Sequence, residues 1–186
     1  MGAFHAYDIR GTYNVDFDKN TVYKVGFFLP ALLKCDKVAV GRDMRTSSPE
    51  IHDYLLKGIT DAGADVYDLG LATTPLVYYA TAAKGFEASV QITASHNPGS
   101  DNGMKVSRRN ALPVGLDTGL GTIKQWIEEG RPCVPVADEK KGKVHQFDIK
   151  DEYMEFQRRY LGDYSNQNIA MDMTKREANI FVKKLI

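Results

Sequence analysis

Between residues 21 and 92 the chain alternates helical and extended patterns, and this alternation restricts the fold more than any other feature. Residues 21–33 place Val22, Val25, Phe28, Leu29 and Leu32 on roughly one helical face, and Pro30 is expected to kink or divide that helix. Residues 37–41 form a short apolar run of strand length. A helix is predicted over 48–62, with Ile51, Leu55, Ile59 and Ala62 inward. Ser47, with Glu50 three residues later, fits a capping box, and Pro49 suits a first turn. Residues 64–69 alternate and stop at Gly70. Thr73-Thr74-Pro75 then opens a third helix, running to about Lys84, and residues 88–92 form a buried strand. This order predicts an α/β chain, a layered α/β/α domain with a mixed, largely parallel sheet. If the strands are parallel, their ends near 42, 70 and 93 share one edge, where ligand crevices form in such folds.

The stretch at that edge is Gln91-Ile92-Thr93-Ala94-Ser95-His96-Asn97-Pro98, continued by Asn102-Gly103-Met104-Lys105. It puts Ser95 on a turn after a strand, with His96 beside it and Lys105 downstream. A hydroxyl, an imidazole and an ammonium in one segment suit the carriage of a phosphoryl group. Residue types alone fit a plain turn about as well, since Ser and Asn bond their own backbone and Pro fixes φ. Arg42 and Arg45, at the end of the strand over 37–41, suit either bracing of the loops or contact with a phosphate, and bracing is favoured.

Composition narrows the functional classes. The 186 residues carry 24 basic and 24 acidic side chains, so neither a nucleic-acid nor a membrane surface is indicated. A hydrophobic fraction of 43% is ordinary for a soluble domain. Residues 25–33 are too short to span a bilayer, and the N-terminus lacks a signal-peptide core, so a cytoplasmic protein is expected. Cys35 and Cys133 show no metal-ligand spacing. Gly115, Gly119 and Gly121 complete no dinucleotide fingerprint, and Gly142-Lys143-Val144 is not a P-loop. Residues 104–106 suggest a short strand and 118–129 a helix. The charge run 138–143 reads as a solvated hairpin or linker, and 151–160 as a helix bridging to a second domain. A last strand is expected over 168–173 and a last helix over 178–186.

Thr93-Ala94-Ser95-His96-Asn97-Pro98, followed by Asn102-Gly103 and Lys105, resembles the phosphoserine loop of the α-D-phosphohexomutases, the phosphomannomutase/phosphoglucomutase family. Tyr7-Asp8-Ile9-Arg10-Gly11 is similar to the family's active-site entrance, although by composition it is only a charged N-terminal loop. The resemblance extends over residues 4–173. It implies that hexose 1-phosphate and hexose 6-phosphate (mannose or glucose) interconvert through a bisphosphorylated sugar, with Ser95 as phosphoserine and Mg²⁺ on its phosphoryl group. It assigns catalysis to Ser95, His96, Lys105 and Arg10, and substrate contact to Tyr7, Arg10, Asn97 and Lys105. Asn97, Asn102 and Gly103 would shape the loop. For His96, proton transfer and loop bracing both remain open. The resemblance further implies a phosphoserine domain over 1–150 and, over 151–186, a linker helix with the truncated start of a second α/β domain. At 174–177 Thr174-Lys175-Arg176-Glu177 departs from the family, whose Asn-Gly turn is absent. The family's Asp-Gly-Asp-x-Asp-Arg metal loop, sugar loop and C-terminal phosphate loop have no counterpart in these residues. Two alternatives therefore stand: a catalytically inactive fragment that at most binds phosphate or a phosphosugar, and, within the enzyme class, a phosphoglucosamine mutase.

Overall fold

A computed structural model describes residues 2–162. Its strands are β1 (Ile9–Thr12), β2 (Lys37–Arg42), β3 (Asp65–Leu71), β4 (Ala88–Ile92), β5 (Asp101–Arg108), β6 (Leu112–Pro113) and β7 (Val144–Gln146). Its helices are α1 (Lys19–Leu33), α2 (Ser48–Asp61), α3 (Thr74–Ala83), α4 (Leu120–Glu128) and α5 (Lys150–Arg158). The strands form one sheet in the order β1-β5-β4-β2-β3-β7, with β6 on β5. Strands β4, β2, β3 and β7 are parallel, whereas β5 runs antiparallel to both β4 and β1. The expected mixed, largely parallel sheet is therefore present.

Strand alternation assigns the two faces of the sheet. Val38 and Val40 of β2 enter the larger core with Val22 and Val25 of α1, Ile51 and Leu55 of α2, and Leu120 and Ile123 of α4. Ala39 points the other way, into a smaller core with Leu76, Val77 and Ala80 of α3 and Tyr153 and Met154 of α5. The two faces make the helix–sheet–helix sandwich. On the larger-core side α1 and α2 meet backbone to backbone. A Cβ added to Gly58 would lie 2.2 Å from Tyr23 O, and one on Gly26 would lie 2.5 Å from Leu55 O.

Several local expectations are corrected. Pro30 does not divide α1, which continues through it to Leu33; it lies within the last turn and is buried against the core. Lys34, at φ 52°, ends that helix. Asp18 caps it, accepting from the Thr21 amide, so the helix starts at Lys19, two residues before the predicted start. Ser47 forms no capping bond, so the predicted capping box is absent; its hydroxyl is turned towards Asn102 instead. Thr73 does cap α3, accepting from the Leu76 amide. The N-terminal "loop" contributes β1, which pairs with β5, itself longer than the strand expected over 104–106. Asn102 and Gly103 consequently lie in a strand rather than a loop. A Cβ on Gly103 would stand 2.1 Å from Ile9 O, so glycine is what lets β1 and β5 close.

The charge run is solvated, as expected, with Asp138, Glu139, Lys140 and Lys143 exposed, and it is also tied to the domain. Lys141 pairs with Asp61 and Asp138, and β7 follows as an added parallel strand. The helix over 151–160 is α5, whose Tyr153 and Met154 are buried in the smaller core. The strand and helix expected over 168–173 and 178–186 lie outside the described residues. No helix among the described residues is long and apolar enough to cross a membrane.

Candidate active site

The loops after β2, β3 and β4 converge, as parallel strands require, on a hollow of about 470 Å³ lined by Asp43, Arg45, Thr73, Gln91, Ser95 and His96, among others. Ser95 is exposed there with φ 57°, in the left-handed region that a residue with a Cβ enters at a cost. Its amide donates to Thr93 Oγ1 at 2.9 Å, and the Asn97 amide donates to Ala94 O at 3.1 Å. The Ser95 hydroxyl lies 3.5 Å from His96 Nδ1. Among the described residues, no other side-chain hydrogen bond of His96 is recorded, so the imidazole braces no other part of the loop.

Arg45 holds this turn. Its Nη2 donates to Ser95 O at 3.0 Å and Asn97 O at 2.9 Å, and its Nη1 donates to Asp101 O at 2.9 Å and to Pro98 O. Its Nε donates to Asp43 Oδ2 at 3.1 Å. A guanidinium has five N–H donors, and all five are spent on the protein. Arg45 is thus a brace with no donor left for a phosphate, which decides between its two readings. Asp43 is fixed in turn by the Ser48 hydroxyl and the Arg45 amide. The buried Asn102 amide donates to Ser47 Oγ at 2.8 Å and Ser48 Oγ at 2.9 Å. The chain of bonds therefore runs from β5 through the start of α2 to the serine loop. Arg42 Nη1 reaches Asp43 O at 3.5 Å.

The expected site residues do not share one cavity. Tyr7, Arg10 and Lys105 line a second hollow of about 680 Å³, and only Asn97 among the predicted residues borders both. Lys105 sits on β5, not in the serine loop, and its Nζ lies 3.2 Å from Asp8 Oδ2. The same Asp8 oxygen pairs with Arg10 Nη2. Arg10 Nη1 donates to Asn97 Oδ1 at 3.1 Å, while its buried Nε has no protein partner. Unlike Arg45, Arg10 keeps donors to offer. Asn97 Nδ2 donates to Asp101 Oδ2, and Thr12 Oγ1 to Asp101 Oδ1. These two bonds, with the nearby charges of Arg45 and Arg10, hold the Asp101 carboxyl below the usual carboxylate range. Tyr7 is 79% exposed and touches the site only as rim.

Sequence reasoning singled out neither Asp8, Asp43, Asp101 nor Gln91. Gln91 breaks the apolar run of β4 and is fully buried, its Nε2 donating to Ala72 O at 2.8 Å and so tying the loop before α3 to the floor of the crevice. A lone amide inside an apolar strand was the available signal. The three aspartates stand one or two residues from Arg10 or Arg45, or inside the serine segment, and short local spacing carried no distinguishing pattern. Among the described residues no group of three His, Cys, Asp or Glu side chains converges as metal ligands. The crevice carboxylate, Asp43, is spent on Arg45 and Ser48. The described residues therefore do not by themselves fit a metal site.

Fold and site together define an α/β domain that presents a strained, accessible serine at the carboxyl ends of parallel strands. Residues 1–131 match the phosphoglucomutase/phosphomannomutase α/β/α domain I. A phosphomannomutase of Klebsiella pneumoniae is 39% identical over 155 residues, which is 83% of this chain and 98% of that relative. One from Escherichia coli is 38% identical over 179 residues, 96% of this chain and 39% of that protein. The crystal structure of a phosphoglucomutase/phosphomannomutase family protein from Burkholderia thailandensis is similar with a TM-score of 0.71 at 30% identity, over 82% of this chain and 34% of that one. The chain belongs to the phosphoglucomutase/phosphomannomutase family. It spans a little over a third of the Escherichia coli and Burkholderia relatives and nearly all of the Klebsiella one.

Proposed function

We propose that the chain is the phosphoserine-bearing N-terminal part of a cytoplasmic phosphohexomutase, acting on mannose or glucose phosphates. The observation that carries this is Ser95, held at φ 57° on the crevice by Arg45 with its hydroxyl beside His96. In the proposed step a sugar hydroxyl oxygen attacks the phosphorus of phosphoserine 95. The new P–O bond forms as the bond to Ser95 Oγ breaks, the sugar hydroxyl gives up its proton, and Ser95 Oγ takes one. His96 is placed to carry the proton at Oγ. Arg10 and Lys105, in the adjoining hollow, offer positive charge to phosphoryl oxygens, with Asn97 and Tyr7 contacting the sugar phosphate. Phosphoryl transfer depends on such positioning and charge neutralisation.

Mg²⁺ belongs to the proposal as the ion that would take a phosphoryl oxygen of phosphoserine 95. The same reading places the phosphoserine unit over residues 1–150 and assigns 151–186 to a linker helix, which begins as α5 on the smaller core, and the start of a second α/β unit. A second reading rests on a specific observation: among the described residues there is no carboxylate cluster for a metal. On that reading the 186 residues by themselves bind phosphate or phosphosugar at most.

Mass spectrometry of the protein from its source cells tests the proposal. Phosphate on Ser95, with His96→Ala slowing its transfer to a hexose phosphate, is the expected result. An unmodified Ser95 throughout would sink the donor role. Mg²⁺-dependent turnover of glucose 1-phosphate by the 186 residues alone would overturn the second reading.

A further inference from the structure

A second concentration of positive charge lies at the opposite end of the sheet. Ser95 follows the end of β4 at Ile92, whereas the other end, Ala88, is paired with Arg108, where antiparallel β5 stops. About 13 Å of strand separates those two ends of β4. Arg108 and Arg109 there face Lys34, the left-handed residue that ends α1, across a hollow of about 500 Å³. Leu32, Leu33 and Leu112 give the hollow an apolar wall, and Leu112 is half exposed. Three cations share it with one carboxylate, Glu87, which takes Arg109 at 3.4 Å and also accepts from the Asp36 amide. Among the described residues, the Lys34 and Arg108 side chains have no hydrogen-bond or ion-pair partner.

This local excess stands out because the whole chain is neutral. Glu87 balances only one of the three cations; like charges left in excess repel, and an anion relieves that repulsion. The backbone beyond the two arginines is also strained: Asn110 and Ala111 are consecutive non-glycine residues at φ 62° and 57°. That turn orients the end of β5, and β6 returns along it through Leu112. Adjacent guanidiniums suit phosphate oxygens, which they meet with paired donors, and an ammonium adds a point charge.

We propose that the hollow between Lys34, Arg108 and Arg109 is an anion site, separate from the serine crevice, that takes a small ligand bearing phosphate groups. The three cations engage the phosphate oxygens, and Leu32, Leu33 and Leu112 cover the ligand's less polar side. The hollow shares no lining residue with the serine crevice or with the hollow that holds Arg10 and Lys105.

Two probes distinguish free phosphate groups from phosphates on a sugar: inorganic pyrophosphate and a hexose bisphosphate. Each is titrated into the full chain, followed by calorimetry and by NMR of the backbone amides near Lys34 and Arg108. The expected result is saturable binding, weakened at least tenfold by K34A/R108A and by raising the salt to about 0.5 M, where screening is nearly complete beyond a few Å. Lys34 and Arg108 are both exposed, so K34A/R108A does not put folding at stake. R10A is expected to leave binding at this hollow unchanged. Tighter binding of the bisphosphate would assign a sugar ester, and equal binding would assign the phosphate groups themselves. If neither probe perturbs the amides of residues 34 and 108, or if K34A/R108A binds as the parent does, the site does not exist.

Discussion

The contact between α1 and α2 and the loop that carries Ser95 both depend on close approach of backbone, yet they reach it by opposite means. At the helix contact, side chains are deleted: Gly26 and Gly58 let one backbone rest on the other, and apolar residues close around them. At the crevice, one long side chain is inserted: Arg45 gathers the carbonyls of Ser95, Asn97, Pro98 and Asp101 around a single guanidinium. The helix contact needs no polar group and tolerates no added atom. The loop is exposed, polar and strained, and the largest share of the bonds that hold it comes from one guanidinium, itself fixed by an ion pair with Asp43. Rigidity from packing is non-directional and spread over many residues, whereas rigidity from hydrogen bonds is directional and concentrated in few. A site that must present a hydroxyl in one orientation needs the second kind.

The largest expected effect comes from removing the inserted side chain. Arg45→Ala strands Asp43, whose side chain is 6% exposed, and leaves four loop carbonyls without their donor. A buried charge deprived of its partner costs about 3 kcal/mol, measured by urea unfolding. Amide exchange of residues 95–101 should rise well beyond that of α1 and α2, because the loop loses its own brace as well as global stability. Arg45→Lys should not restore the loop, since an ammonium has three donors in place of five. Uniform exchange changes across the molecule would mean that the loop is held by something other than Arg45.

Gly58→Ala attacks the other region. The new methyl would lie 2.2 Å from Tyr23 O and 2.8 Å from Phe27 N, both backbone atoms of α1 that no rotamer change can move. Although alanine is the better helix former, overpacking dominates, and a loss of about 2 kcal/mol is expected in urea unfolding. Exchange in the serine loop should then change no more than elsewhere. A stabilised Gly58→Ala would show that α1 and α2 can separate at little cost.

This contrast also explains what could be read from the sequence. The helix–strand alternation is periodic and local, so α1, β2, α2, β3, α3 and β4 and their shared edge were legible, and so was the serine segment. The β1 strand was not. Its four residues, Ile9-Arg10-Gly11-Thr12, show no alternation, and they form a strand only because Gly103, more than 90 residues away, leaves room for Ile9 O. Ser47 and Ser48 carried a local capping signal that the structure does not use, because long-range bonds from Asn102 engage both hydroxyls. The separation of Lys105 from Ser95 is likewise tertiary, since it follows from β5 running antiparallel to β4 and presenting Lys105 beside Asp8. Where a bond spans many residues, local pattern has nothing to report.

The smallest predicted effect joins the two regions through one pair of residues, glycine and alanine. At Gly58 glycine is needed because a Cβ has no space. At position 95 the constraint is conformational, with φ at 57° on an exposed turn where a Cβ has room. Ser95→Ala keeps the strain, whereas Ser95→Gly removes it, since glycine enters the left-handed region freely. At an ordinary position glycine is the less stable of the two by roughly 0.5–1 kcal/mol, because it has more freedom to lose on folding. At 95 the order should reverse, with Ser95→Gly more stable than Ser95→Ala by about 1 kcal/mol in urea unfolding. Both variants lose the hydroxyl, so its loss cancels in the comparison. If alanine proved the more stable, Ser95 would lie outside the left-handed region in solution, and the orientation of its hydroxyl towards His96 would have to be abandoned. If glycine is the more stable, the serine is held in place against its own backbone preference, and Arg45 is the side chain that holds it there.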